Sequence, residues 1–340
     1  MGDLKVHSDS KPRHVFIDLM RGAAIFLVVL GRFIQTYSKD GNFDADPLFR
    51  LLYSFHMPLF FVISGISAGL AYKTNIDLKL LGKRFLQLIL PYSVWLCINF
   101  FSYGHYTSTP FLAYLQKVLR SVDYGLWYLW VLFGCYVVLF FVAMLIERVG
   151  KRNYVLFALI GISAFFVYTR STSLLGMELI RSLIPFFLCG YAFGLYKEDF
   201  KRKLTINFLM VCALSFFVLL WFWYRNEVPS FLMRFNGMRE LFTRIYVIAT
   251  AFTGMAFFVV VLKTLDYIWL KGILLNLGKA SLGIYILQFS FLAYFPPFIQ
   301  GNYVLILLST VITTGVTYIL TKVLRSSSIT AKLLLGEGWK

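Results

Sequence analysis

The feature that most constrains this chain is residues 13–37, RHVFIDLMRGAAIFLVVLGRFIQTY, an apolar run long enough to cross a bilayer that nonetheless carries Asp18, Arg21 and Arg32. A helix of about 20 residues spans the hydrocarbon layer, and a charged side chain near its middle costs roughly 2.5–3.5 kcal/mol on insertion scales. Such a side chain faces protein or a water-filled cavity. Arg21 and Arg32 are eleven positions apart, which places them on one face of a helix, about 16 Å apart along its axis. Asp18 lies three positions before Arg21, within pairing reach on the same helix. Arg32 has no such neighbour in sequence and admits two readings. Either it snorkels to the interface that starts one turn on, at Tyr37–Ser38, or it turns inward and lines a site for an anionic or hydrogen-bonding ligand.

The same reasoning extends along the chain. Apolar runs predict helices near 14–37, 49–72, 84–103, 126–146, 153–168, 179–196, 205–224, 240–263, 272–295 and 303–324. The fold class is therefore all-α, a polytopic integral membrane protein with about ten transmembrane helices; the short 153–168 run either crosses or re-enters. With 59% hydrophobic and 14% charged residues among 340, polar surface is too scarce for a soluble globule of this size. The net charge of +17 then reflects basic residues retained on one side of a membrane, not nucleic-acid binding. Placing the N-terminus inside puts Lys79, Lys83, Arg84, Lys201, Arg202, Arg325 and Lys332 in the cytoplasm, with about 20 basic residues inside against about 10 outside. The expected orientation is N-in and C-in, with a cytoplasmic segment 1–13, a single transmembrane domain 14–324 and a cytoplasmic segment 325–340. The first run has no small-residue cleavage site and reads as a retained helix. Cys97, Cys135, Cys189 and Cys212 lie in apolar segments without metal-ligand spacing and read as packing residues.

Three stretches carry a resemblance to a known family. Asp18-x-x-Arg21-Gly22, followed by an aliphatic run ending Val28-Val29-Leu30-Gly31, resembles the first helix of the membrane acyltransferase-3 family. Phe55-His56-Met57-Pro58-Leu59-Phe60-Phe61-Val62-Ile63-Ser64-Gly65 resembles its second-helix motif, and Leu277-Gly278-Lys279-Ala280-Ser281-Leu282-Gly283-Ile284-Tyr285 its penultimate one. The likeness covers nearly the whole chain, in family order. It implies an integral-membrane O-acyltransferase of a bacterial cytoplasmic membrane, with acetyl-CoA or another acyl-CoA as donor, no metal, and an extracytoplasmic glycan or lipid-linked glycan as acceptor. Membrane lipids are its surroundings. Two positions depart from the family pattern. The first-helix histidine, held in the family to be essential for transfer, is Arg32 here, and the histidine often found after the late Ile-Tyr motif is Gln288.

Arginine does not replace histidine as a base, because its pKa exceeds about 12 and it stays protonated. Two function classes follow. One is an acyltransferase, impaired by Arg32 or with its base relocated to His56; the other is a non-catalytic relative acting as a carrier or assembly partner in glycan export. The candidate catalytic residues are Arg32, His56 and Asp18. His56 is either a satisfied core histidine or a proton carrier near the outer end of the Arg32 helix. Arg21, Lys83 and Arg84 are candidates for the donor phosphates, although a Lys-Arg pair at a helix start also serves as a topogenic anchor. Trp127 either belongs to an interfacial belt or stacks on a sugar. Arg181 either pairs with Glu178 or binds the acceptor. Asp40, Asp44 and Asp46 read as a solvated acidic loop in preference to a metal site, and the basic loop 225–244 as solvated or as a surface for an acidic glycan. No P-loop, GxGxxG or Ser-His-Asp pattern is present, so transfer calls for a proton carrier and a bound activated donor.

Overall fold

A computed structural model describes residues 15–339 except 73–75, 103–109, 121, 123–125, 150–158, 160, 164–173, 198–204, 226, 235–237, 266 and 293. Among the described residues the structure is helical, with no strand. The helices are α1 (Val15–Tyr37), α2 (Pro47–Tyr53), α3 (His56–Tyr72), α4 (Leu78–Ser102), α5 (Phe111–Arg120), α6 (Trp127–Val149), α7 (Met177–Leu195), α8 (Ile206–Trp221), α9 (Arg239–Thr264), α10 (Ile268–Leu292), α11 (Tyr303–Ser326) and α12 (Ser328–Leu335). Seven helical spans among the described residues are long and apolar enough to cross a membrane, with α2 and α3 forming one of them. The charged α1 is as long as these, and α8 is a shorter apolar helix. The expected segment 153–168 lies outside the described residues apart from 159 and 161–163.

The run expected as one helix over 49–72 is two, and the break has a local cause. Pro47 opens α2, and the Asp46 carboxylate caps it by accepting from Leu48 N (2.8 Å) and Phe49 N (3.0 Å). At the other end Pro58, which has no N–H, leaves the Ser54 carbonyl without the helical donor four residues on, and the Ser54 hydroxyl donates to Leu51 O at 2.9 Å. His56 thus becomes the first residue of α3. Asp46 also accepts from the Tyr303 hydroxyl at 2.6 Å, so this carboxylate works as a cap and a tether.

Helix α1 is the centre of the bundle, packed on α3, α10 and α11. Lipid tails are as apolar as leucine, so helices in a membrane associate through close packing of small residues. A Cβ on Gly22 would overlap the Leu274 carbonyl, and one on Gly278 the Asp18 carbonyl, so the α1 and α10 backbones touch. The α3–α7 seam is made the same way by Gly65 against Phe187 and Gly190 against Val62. Helix α11 buries a column of threonines instead. Thr310, Thr314, Thr317 and Thr321 each donate to the carbonyl four residues back, at 2.7–2.8 Å, which satisfies their hydroxyls without another helix.

Helices α1 and α10 begin at one face of the bundle, where α11 ends; this is the near face. At the opposite, far face the Tyr37 hydroxyl lies 2.9 Å from the carbonyls of both Leu292 and Phe295. There Arg50 closes the end of α8, donating to Leu220 O, Trp221 O and Trp223 O at 2.7–2.9 Å. Its charge suits the negative end of that helix.

Candidate functional site

A cavity of about 650 Å³ opens among α1, α3, α4, α6 and α10 in the near-face half of the bundle. Its lining carries three cationic side chains, Arg21, Arg84 and Lys279, and one carboxylate, Asp18. Arg21 donates to the Ser67 hydroxyl at 2.7 Å and lies 3.6 Å from Asp18. Arg84 donates to Gln87 Oε1 (2.8 Å) and the Tyr72 hydroxyl (2.7 Å), with its guanidinium 4.6 Å from the Tyr136 ring centre. The Nε of Arg84 is buried with no hydrogen-bond partner among the described residues, and a buried donor left unmade is costly. The upper wall is aromatic and hydroxylated. Tyr128 and Ser64 share a bond of 3.0 Å, and Tyr285 accepts from Tyr128 N at 3.3 Å. Positive charge in excess over Asp18 and a buried spare donor fit an anionic ligand such as a phosphate.

Of the α1 positions that line the cavity, Ile17, Asp18, Arg21, Ile25 and Val28, the last four follow the three- and four-residue spacing of one helix face. The next two positions of that series are Arg32 and Gln35, and they open a second polar group toward the far face. Arg32 donates to Gln35 Oε1 at 3.0 Å, and the Tyr53 hydroxyl donates to the same atom at 3.0 Å. The Arg32 guanidinium sits 5.1 Å from the Phe289 ring centre, so it turns toward a neighbouring helix. His56 is buried, edge-on to Tyr53 with ring centres 4.6 Å apart. Its Nδ1 lies 2.7 Å from Leu52 O. A carbonyl only accepts, so Nδ1 carries the proton and Nε2 is left as the acceptor of the neutral ring. Gln288 is also buried, its amide without a partner among the described residues.

The structure thus divides the residues singled out from sequence. Asp18, Arg21 and Arg84 line the cavity together, whereas Arg32 and His56 lie beyond it, linked through Gln35 and Tyr53. Asp18 is fourteen positions from Arg32, about 21 Å along α1, so the three candidate catalytic residues do not form one group. Lys83 does not line the cavity. Trp127 is buried and stacks on Phe61, with ring centres 6.5 Å apart, and it is the next residue, Tyr128, that lines the wall. Arg181 lies on α7, within electrostatic reach of Glu178, Glu240 and Arg244 and away from the cavity. Sequence reasoning missed Lys279 and the hydroxyls of Tyr128 and Tyr285. Lys279 was within reach of the argument used for Arg21, since it too is a charge inside an apolar run. Among the described residues no three His, Cys, Asp or Glu side chains come together as a metal site needs.

A bundle of membrane-spanning helices that encloses a cationic cavity defines the class of protein. The family follows from comparison of sequences: the chain belongs to the acyltransferase-3 family, whose model, described as an acyltransferase domain, matches residues 14–322. It is also similar to the nodulation protein NolL of Sinorhizobium fredii (strain NBRC 101917 / NGR234), 29% identical over 194 residues that cover 55% of this chain and 50% of that protein. The NolL protein of Mesorhizobium japonicum (strain LMG 29417 / CECT 9101 / MAFF 303099) is 27% identical over 188 residues, 54% of this chain and 48% of that one. The chain spans about half the length of these curated relatives. No solved structure matches it significantly.

Proposed function

We propose that the protein is an integral-membrane acyltransferase that takes an acyl group from acyl-coenzyme A at the near face and delivers it to a glycan or lipid-linked glycan hydroxyl toward the far face. The observation that carries this reading is that Arg21, Arg84 and Lys279, from three helices far apart in sequence, line one cavity. Guanidinium and ammonium groups form charge-assisted bonds to phosphate oxygens. In the N-in orientation of a bacterial inner membrane the donor enters from the cytoplasm, and Lys83 serves as a topogenic anchor beside the site.

Chemistry takes place at the far end of the same helix faces. The acceptor hydroxyl attacks the thioester carbonyl and gives its proton to His56 Nε2, the carbon–sulfur bond breaks, and the coenzyme leaves as its thiolate. Arg32 hydrogen-bonds the carbonyl oxygen as negative charge builds there. Asp18 holds Arg21 and touches no reacting atom. Acetyl is the simplest acyl group for such a passage. The test is transfer of labelled acetyl from acetyl-coenzyme A to glycan by proteoliposomes of the purified chain, with His56→Ala as the decisive variant. A second reading, a non-catalytic carrier or assembly partner, is favoured by the standing of Arg32 at the family's histidine position. It wins if the chain binds coenzyme A but neither it nor Arg32→His transfers acyl groups.

A further inference from the structure

Residues 325–337 tie together two walls of the cavity, α4 and α10, at the near face. Helix α11 ends at Ser326, and α12 turns back to lie on α4 and α10. Gly336 ends α12 in the left-handed conformation, φ 67°, with its N–H on Lys332 O (3.2 Å) and that of Glu337 on Ala331 O (2.9 Å). This is a glycine-dependent helix stop. It aims the Glu337 carboxylate back at Arg325, which donates to it through Nε (2.7 Å) and Nη2 (2.5 Å). The same Nη2 donates to the Lys279 carbonyl on α10 at 2.7 Å. On the other side the Trp95 indole N–H of α4 donates to Leu334 O at 2.9 Å, and Leu335 is fully buried. Gly336 lies so close to the Gln87 carbonyl of α4 that a Cβ would overlap it.

Both anchor points belong to cavity cations. Gln87 accepts from Arg84, and Lys279 itself lines the cavity. We propose that this hook sets the spacing of α4 and α10 at the near-face mouth, making Glu337 and Arg325 positioning residues that hold Arg84 and Lys279 at the distance an anionic donor group needs. The proposal rests on reading the cavity as the donor site. A bidentate arginine–carboxylate pair suits the task, because its planar fork fixes direction as well as distance.

The experiment uses the full chain purified in detergent. A cysteine placed at the cavity-lining Ser281 is labelled with a membrane-impermeant maleimide and followed by mass spectrometry, with and without Glu337→Gln. The hook predicts labelling several-fold faster when the carboxylate charge is removed. Calorimetry with coenzyme A should show Glu337→Gln raising Kd roughly tenfold, Glu337→Asp restoring most of the affinity, and Arg84→Ala marking the full loss of one cation. If Glu337→Gln does not elute as a folded protein, Arg325→Lys, which keeps the charge and loses the fork, supplies the same comparison. An unaltered labelling rate together with an unaltered Kd overturns the hook and leaves the donor site standing. If the parent chain does not bind coenzyme A, the donor reading falls, and the labelling rate alone then decides whether the hook sets the mouth.

Discussion

Arg21 and Arg32 stand on one face of one helix, yet their surroundings differ. Around Arg21 there is space: a cavity of about 650 Å³ that also receives Arg84 and Lys279. Around Arg32 there is contact, with Gln35 taking one of its N–H groups and Phe289 beneath the guanidinium. An arginine has five N–H donors, and next to an open cavity those not used by the protein are available to a ligand. Packed against an aromatic ring, the same group becomes a fixed local dipole and charge. Intramembrane arginines therefore divide by what surrounds them, and in the proposed function the first kind binds and the second orients.

The sharpest way to break this division is to alter the far region and watch the near one. His56→Ala should lower acyl transfer by about 10²–10⁴-fold, the usual share of a lost general base, while coenzyme A binding stays within about twofold. If Kd moves as far as the rate, the two regions are one site. Arg32→His separates two accounts of the same region. With His56 as base it should lower transfer, and a large gain would show instead that Arg32 had impaired the enzyme. In the reverse direction, Arg84→Ala should weaken coenzyme A binding by roughly 1.5–3 kcal/mol, as for hydrogen bonds to charged groups. Unchanged affinity in calorimetry would reduce Arg84 to a topology anchor.

Smaller effects test the scaffold that both regions share. Gly278→Ala forces a Cβ into the Asp18 carbonyl and should cost about 1–3 kcal/mol, whereas Gly315→Ala in α11, where a Cβ meets open space, should be neutral or slightly stabilising by helix propensity. Thermal unfolding in detergent compares the two, and equal behaviour would remove the seam from the account. Tyr303→Phe, which loses the bond to Asp46, should cost about 0.5–1.5 kcal/mol and leave coenzyme A binding unaltered.

Much of the bundle was legible because lipid makes hydropathy nearly decisive. The run 14–37 became Val15–Tyr37, and 303–324 became Tyr303–Ser326. What stayed hidden was set by single hydrogen bonds or distant contacts. The break between α2 and α3 turns on the backbone around Ser54 and the missing N–H of Pro58, inside a stretch that hydropathy reads as one run. In the site, Asp18, Arg21 and Arg84 stood out as charges where charges are expensive. Tyr128 and Tyr285 did not, because an aromatic in an apolar run gives no sign of where its hydroxyl points. The helix Ser328–Leu335, expected as part of a cytoplasmic segment, is held by Trp95 across a sequence distance that periodicity does not see.

The threonine column of α11 also bears on how the bundle is completed. Four of its threonine hydroxyls are answered by carbonyls of the same helix, whereas Thr313 Oγ1 is buried without a partner among the described residues. Helix α1 is the opposite case. It precedes its partners in the chain, and although Asp18 and Gln35 answer its arginines locally, Ser67 follows 46 residues after Arg21 and the Phe289 ring only with α10. The polar groups of α1 are thus completed only when α3 and α10 are in place, whereas the four bonded threonines of α11 need no other helix.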